Sequence, residues 1–211
     1  CDPAVGSGAF PVSMMNIVVK IRKVAKLYKN DLNENINYKL KYQYIKKNIY
    51  GVDIDKSATE IAKLRLWLSL TIDEDNYEKI NPLPNLDYKI LQGNSLFDDL
   101  GGSLSTNEAK QQFTFDSSSS EKEDLIESYF NKIKEYDLLT NQREKKAERE
   151  KINNILKKTI LAEIQQIKSF DSNNPLLKQL EKNISDLDKK INDFFCWNII
   201  FNKIFKNNGG F

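Results

Sequence analysis

The chain has 211 residues, 40% hydrophobic and 29% charged, which is enough for one sizeable core with an appendage and too little for two large domains. It contains no histidine, so Ser-His-Asp and Cys-His catalysis, His-ligated zinc and haem on a proximal histidine are all excluded. Lysine and arginine number 32 against 30 acidic residues, and a net charge of +2 makes no global electrostatic case for nucleic acid. The two cysteines, Cys1 and Cys196, form no C-x-x-C pair, which speaks against a disulfide framework or a structural metal site and for a reducing, cytoplasmic setting. No run approaches the roughly 18 apolar residues that span a bilayer, so no membrane partner is expected. The amino terminus also lacks the basic-then-apolar order of a signal peptide. The chain opens at Cys1, inside a motif, and reads as a piece of a longer polypeptide.

In chain order, Asp2-Pro3 opens a turn and Gly6-Ser7-Gly8 leads into an apolar run from Phe10 to Tyr28. Val12, Met15, Val18, Val19, Ile21, Val24 and Leu27 recur about three apart there, which predicts a mostly buried helix. Asn30 to Asn37 reads as a connection and Tyr38 to Lys47 as a second short helix. Asn48 to Asp55 is a short strand ending in acidic residues. Asp55 and Ser57 are both candidate N-caps for a helix over Lys56–Ile72, with Glu60 at capping-box distance from Ser57. That helix is apolar on most of its circumference and is expected to pack against a sheet rather than lie at the surface. Pro82 and Pro84 interrupt the chain before a further strand, Tyr88 to Leu91.

Turn, helix, strand, helix, strand is half of a doubly wound parallel sheet, its first strand expected upstream of Cys1. Residues 1–100 are thus an α/β unit. Residues 101–120 are rich in Gly, Ser, Thr, Asn and Gln and read as a flexible linker. Residues 121–195 turn helical and charge-dense, with a first part ending near Ser169 and a break at Phe170–Pro175. A second helix follows, carrying Leu177, Leu180, Ile184, Leu187, Ile191 and Phe194 at spacings of 3, 4, 3, 4, 3. An antiparallel helical hairpin is the natural reading, its mixed charge marking a solvated face and a spacer role. Residues 196–211 form an aromatic return segment ending in Gly209-Gly210-Phe211.

The strongest chemical signal is Asp2-Pro3-Ala4-Val5-Gly6-Ser7-Gly8-Ala9-Phe10. Two glycines flanking a small residue let backbone approach a ligand, and the helix that follows points its first N–H groups at it. The loop lacks the Gly-Lys-Ser/Thr of a P-loop, and Pro11 stands where a dinucleotide fingerprint has its third glycine. A nicotinamide or flavin site remains the alternative, as does a coiled-coil interaction module on a vestigial α/β base.

Read with Tyr50-Gly51-Val52-Asp53-Ile54-Asp55 and Gly93-Asn94-Ser95-Leu96, the chain resembles the amino-terminal half of the S-adenosylmethionine-dependent DNA adenine-N6 methyltransferases. Its likeness is greatest to large type IIG restriction–modification enzymes and related phage-defence methyltransferases. The resemblance implies a partial Rossmann-like methyltransferase fold with an inserted helical hairpin, S-adenosylmethionine as cofactor and DNA as partner of the parent protein. It also implies that Asp2, Pro3, Ala4, Gly6, Gly8, Ala9 and Phe10 hold the methionine moiety. Asp53 would accept from the ribose hydroxyls, Ile54 would lie against the adenine ring, and Asn94-Ser95 would contact its polar edge. Many relatives carry Asp where Asn94 stands. The family's catalytic Asn-Pro-Pro-aromatic motif is absent, since Asn81-Pro82-Leu83-Pro84 lacks the adjacent proline and the aromatic. These residues alone are therefore expected to bind cofactor at most. An open sheet further predicts self-association or marginal stability.

Overall fold

The computed structural model describes residues 1–28, 36–73, 85–96, 120–139, 141–170 and 195–208. The chain divides into two compact units, Cys1–Ser95 and Leu96–Phe211. Residues 101–119 of the linker expected at 101–120, the 177–194 seam, Pro82, Pro84 and the terminal Gly209-Gly210-Phe211 lie outside the described residues, while Ser120 opens a helix.

The first unit is a small parallel sheet under helices. It comprises α1 (Ala9–Tyr28), α2 (Ile36–Asn48), β1 (Gly51–Asp53), α3 (Lys56–Thr71) and β2 (Ile90–Gln92). The strands pair in parallel with Gly51 opposite Ile90, Val52 opposite Leu91 and Asp53 opposite Gln92. Asp2 adds a one-residue parallel bridge to Gly51. β1 is therefore flanked on both sides, and Val52 is fully buried. Gly51 is required there, because a Cβ would stand 2.8 Å from Val5 Cγ2 and 3.1 Å from Ile90 Cδ1.

Of the two expected caps for α3, Asp55 is the one used, its Oδ1 accepting the Ser57 N–H at 2.8 Å. Glu60 pairs with Lys63 at 2.8 Å, an i,i+3 contact on the exposed side of the helix. Met15 and Val19 of α1, Ile45 of α2, Ala62, Leu66 and Leu70 of α3, and Ile90 of β2 belong to one core cluster. Lys41 ties α2 to the end of α3, donating to the Ser69 carbonyl at 2.9 Å and pairing with Asp73 at 2.7 Å.

Two expectations are corrected. α1 is not mostly buried: Met15 and Val19 face the core, while Ile17, Ile21 and Val24 face solvent. α3 likewise packs only one side, leaving Ile61, Leu64 and Leu68 exposed. Both helices are apolar on two faces, and the described residues of this unit cover one face of each.

The second unit is helical, with α4 (Ser120–Leu138), α5 (Gln142–Phe170), α6 (Trp197–Ile200) and α7 (Asn202–Asn208). α4 and α5 form an antiparallel hairpin, since Lys122 pairs with Glu163 at its open end and Tyr136 accepts from Arg149 near its turn. The chain turns between Leu138 and Gln142, inside the stretch expected to run as one helical part to Ser169, and the break expected at 170–175 falls at the end of α5, with 171–175 outside the described residues. Asn141 makes the turn by capping α5, its Oδ1 accepting from Arg143 N–H at 2.9 Å and its carbonyl from Lys145 N–H at 2.9 Å. Ile126, Tyr129 and Tyr136 meet Ile152, Leu156, Ile160 and Ile164 along one buried seam. Burial pushes the Tyr129 phenol well above its ordinary pKa. The return segment packs Phe195, Trp197 and Phe201 edge-on or tilted, with centroids 4.9–6.4 Å apart.

Candidate functional site

The three sequence turns that drew attention lie at one edge of the first unit, and backbone hydrogen bonds join them. Asp2 N–H donates to the Tyr50 carbonyl at 3.0 Å, Val52 N–H to Asp2 O at 2.9 Å, and Val5 N–H to Val52 O at 3.0 Å. This ladder seats the Asp2–Gly8 loop beside β1. On the other side of β1, Gly93 N–H donates to the Asp53 carbonyl at 2.8 Å, which brings the Gly93–Asn94 turn to the same strand end.

Asp53 holds the arrangement together. Its Oδ2 accepts the Gly6 N–H at 2.7 Å across 47 residues of sequence, and its Oδ1 accepts the Asp55 N–H at 3.0 Å. A carboxylate has about four acceptor positions, so two remain for a ligand.

The loop itself is shaped by two left-handed glycines, Gly6 at φ 51° and Gly8 at φ 80°. A Cβ on Gly6 would meet nothing within 4 Å, whereas one on Gly8 would stand 3.0 Å from Ala62 Cα and Cβ. Gly6 therefore borders open space, and Gly8 sets the approach of the loop to α3. Gly8 also starts α1, its carbonyl accepting the Val12 N–H at 3.2 Å. Pro11 sits in the first turn of that helix, where a missing N–H is tolerated.

Asp2 folds into an Asx turn, its Oδ1 accepting the Ala4 N–H at 3.1 Å. Pro3, Ala4 and Ala9 are exposed on the rim, and Phe10 is 63% exposed. Ile54 is 70% exposed just beyond Asp53, an apolar side chain held at the mouth of the strand edge. Asn94 is exposed and Ser95 half-buried, both directly after Gly93. The structure thus brings all eleven candidate residues to one end of the sheet. It gives Asp53 a loop-anchoring bond that the resemblance did not supply.

Two further residues shape this edge. Gly51 was legible, because a glycine inside a strand marks close backbone approach. Gln92 was not. It is the register partner of Asp53, and its Nε2 donates to the Ile54 carbonyl at 3.3 Å. Among the described residues no group of three or more Cys, Asp or Glu side chains is placed to hold a metal ion. No helix among them is long and apolar enough to cross a membrane.

With this geometry in hand, the comparisons are informative. A family model described as Eco57I restriction-modification methylase matches residues 47–211, which take in both strand ends of the site and the whole second unit. The chain is also 46% identical over 99 residues to a protein of Methanocaldococcus jannaschii that carries the name of a type II restriction enzyme and methyltransferase. That match covers 45% of this chain but only 8% of the relative's length. No solved structure matches.

Proposed function

Because the chain belongs to the Eco57I restriction-modification methylase family, we propose that its first unit is the S-adenosylmethionine-binding half of a Rossmann-like DNA methyltransferase. The proposed methyl acceptor is adenine N6 in a DNA sequence recognised by the parent protein. One observation carries the reading: the Gly6 N–H bond to Asp53 Oδ2 at 2.7 Å, which fixes a glycine loop against an acidic strand end.

The residues fit the cofactor. Asp53 retains acceptor capacity for two ribose hydroxyls after taking its two backbone N–H groups. The open space at Gly6 leaves room for the methionine moiety, which the Asp2–Phe10 loop would hold. Ile54 offers an apolar surface for a base, and Asn94 an amide for its polar edge. When bound, the cofactor supplies an activated methyl group on sulfur. The chain's own residues bind and orient it. Making the lone pair of the adenine amine available would fall to an Asn-Pro-Pro-aromatic motif, which these 211 residues lack. They are therefore assigned binding and no share in the transfer.

Calorimetric titration of the chain with S-adenosylmethionine, and separately with NAD, tests the reading. Binding of the first and not the second is expected, with Asp53→Ala reducing affinity at least a hundredfold by removing both the ribose acceptor and the loop anchor. Binding of NAD alone would favour the dinucleotide alternative.

A further inference from the structure

α1 carries two apolar faces in different registers. Met15 and Val19 seat in the core, while Met14, Ile17, Ile21 and Val24 are 39–63% exposed. The exposed four recur at spacings of 3, 4 and 3, the a/d repeat of a coiled-coil seam rather than the wider stripe of a core-facing helix. Charge on α1 is of one sign. It holds Lys20, Arg22, Lys23 and Lys26 and no acidic residue, and Lys20 and Arg22 are exposed. Lys20 stands directly before Ile21, at the g-type position where a coiled coil selects its partner by charge. α3 also turns hydrophobics outward, but exposed Lys56 and Glu60 mix signs on that helix.

We propose that the outward face of α1 is a docking seam for an amphipathic partner helix whose apolar a/d residues are flanked by Asp or Glu. Docking there does not depend on the cofactor reading. The spacing of the exposed side chains specifies a helix as the occupant, since a/d knobs fit the holes of a facing helix. The uniform positive charge specifies its acidic flanks. Two copies of α1 would set like charges against each other, so self-contact is the weaker use of the seam. A membrane surface fits less well. A helix lying in a membrane interface needs a broad apolar face and turns its charged face to water, whereas α1 offers a narrow stripe and its other face is in the core.

The test uses the full chain and two labelled synthetic helices with Leu at a and d, one flanked by Glu and the other by Lys. In fluorescence anisotropy the Glu helix is expected to bind at least tenfold more tightly than the Lys helix. Ile17→Ser with Ile21→Ser should weaken its binding at least tenfold. Lys20→Glu with Arg22→Glu should reverse the preference between the two helices. All four positions are exposed, and an unchanged circular dichroism spectrum would show that the variants fold. No binding of the Glu helix would overturn the proposal. Equal binding of both helices would reduce the face to apolar adhesion and also overturn it. So would a preference that survives the charge reversal, or Glu-helix binding that survives the Ser substitutions. Self-association of wild type that excludes the Glu helix would make a second copy the occupant instead. Cosedimentation with phosphatidylserine vesicles, lost in the Ser variant, would make it a membrane surface.

Discussion

The second unit buries its apolar residues along the seam where α4 and α5 face each other and in the return segment, whose Phe195, Trp197, Ile199 and Phe201 are buried and whose α7 meets α4 through Lys203 over the Phe130 ring and Lys206 at Glu123. In the first unit, α1 seats Met15 and Val19 in the core and turns Phe10, Met14, Ile17, Ile21 and Val24 outward. α3 seats Ala62, Leu66 and Leu70 and turns out Ile61, Leu64, Leu68 and Ile72. Among the described residues, the large exposed hydrophobics outside the first unit are Leu96 and Leu138. There the hairpin has a further segment laid against it. A helix lying on a parallel sheet has a second apolar face when its sequence is written for a further layer. The difference teaches that apolar content alone does not locate a core.

The largest expected effect sharpens this contrast through one residue type. Ile160→Ala, in the hairpin seam, should lower stability by about 2–5 kcal/mol in urea denaturation. Ile21→Ala, on the outward face of α1, should change it by no more than about 0.5 kcal/mol. Equal losses at the two positions would mean that the α1 face is covered after all. The outward faces also predict self-association of the chain. A double Ile17→Lys, Ile21→Lys variant should weaken it at least tenfold in sedimentation velocity, while a wild type monomeric at all accessible concentrations would count against it.

A second pair of substitutions contrasts two glycines within one loop. Gly8→Ala combines a left-handed φ with a Cβ 3.0 Å from the Ala62 backbone, and should cost about 2–3 kcal/mol. Gly6→Ala meets open space, so only the φ penalty of about 1 kcal/mol applies. Thermal unfolding measures both. Gly6→Ala should still reduce cofactor affinity, because the added methyl occupies the space proposed for the ligand.

Much of the site was legible because its chemistry is local. Gly6, Gly8 and Asp55 announce a turn and a cap through residue type, and the strand positions of Asp53 and Asn94 follow from short apolar runs beside them. The Gly6–Asp53 bond was not legible, since nothing in either segment names a partner 47 residues away. Nor was Gln92, a polar residue whose meaning lies in its register opposite Asp53. On α1 the periodicity was read correctly as helical, but a helix apolar on both sides gives no sign of which side is covered. The turn between α4 and α5 was missed because Leu138-Leu139-Thr140-Asn141 contains neither glycine nor proline. The one signal there was Asn141, an N-cap type.

The smallest predicted effect concerns charge, and it belongs to the second unit. Glu148 is buried in the hairpin, with Oε2 2.9 Å from Lys151 Nζ and Oε1 3.2 Å from Lys132 Nζ. The hydrogen bond from Lys151, against the opposing effect of burial and with help from Lys132, holds its carboxyl below the ordinary carboxylate range. The folded state therefore favours the ionised form more than the unfolded chain does. Its contribution is present above the ordinary carboxylate range and fades as pH falls through the lower folded-state value. Glu148→Gln removes that dependence and leaves an amide unable to pair with two ammonium groups. Hairpin stability should drop by about 1 kcal/mol near neutral pH, and the gap to wild type should narrow as pH falls through and below the ordinary carboxylate range. A gap that stays constant on acidification would mean that the Lys151 bond does not form in solution.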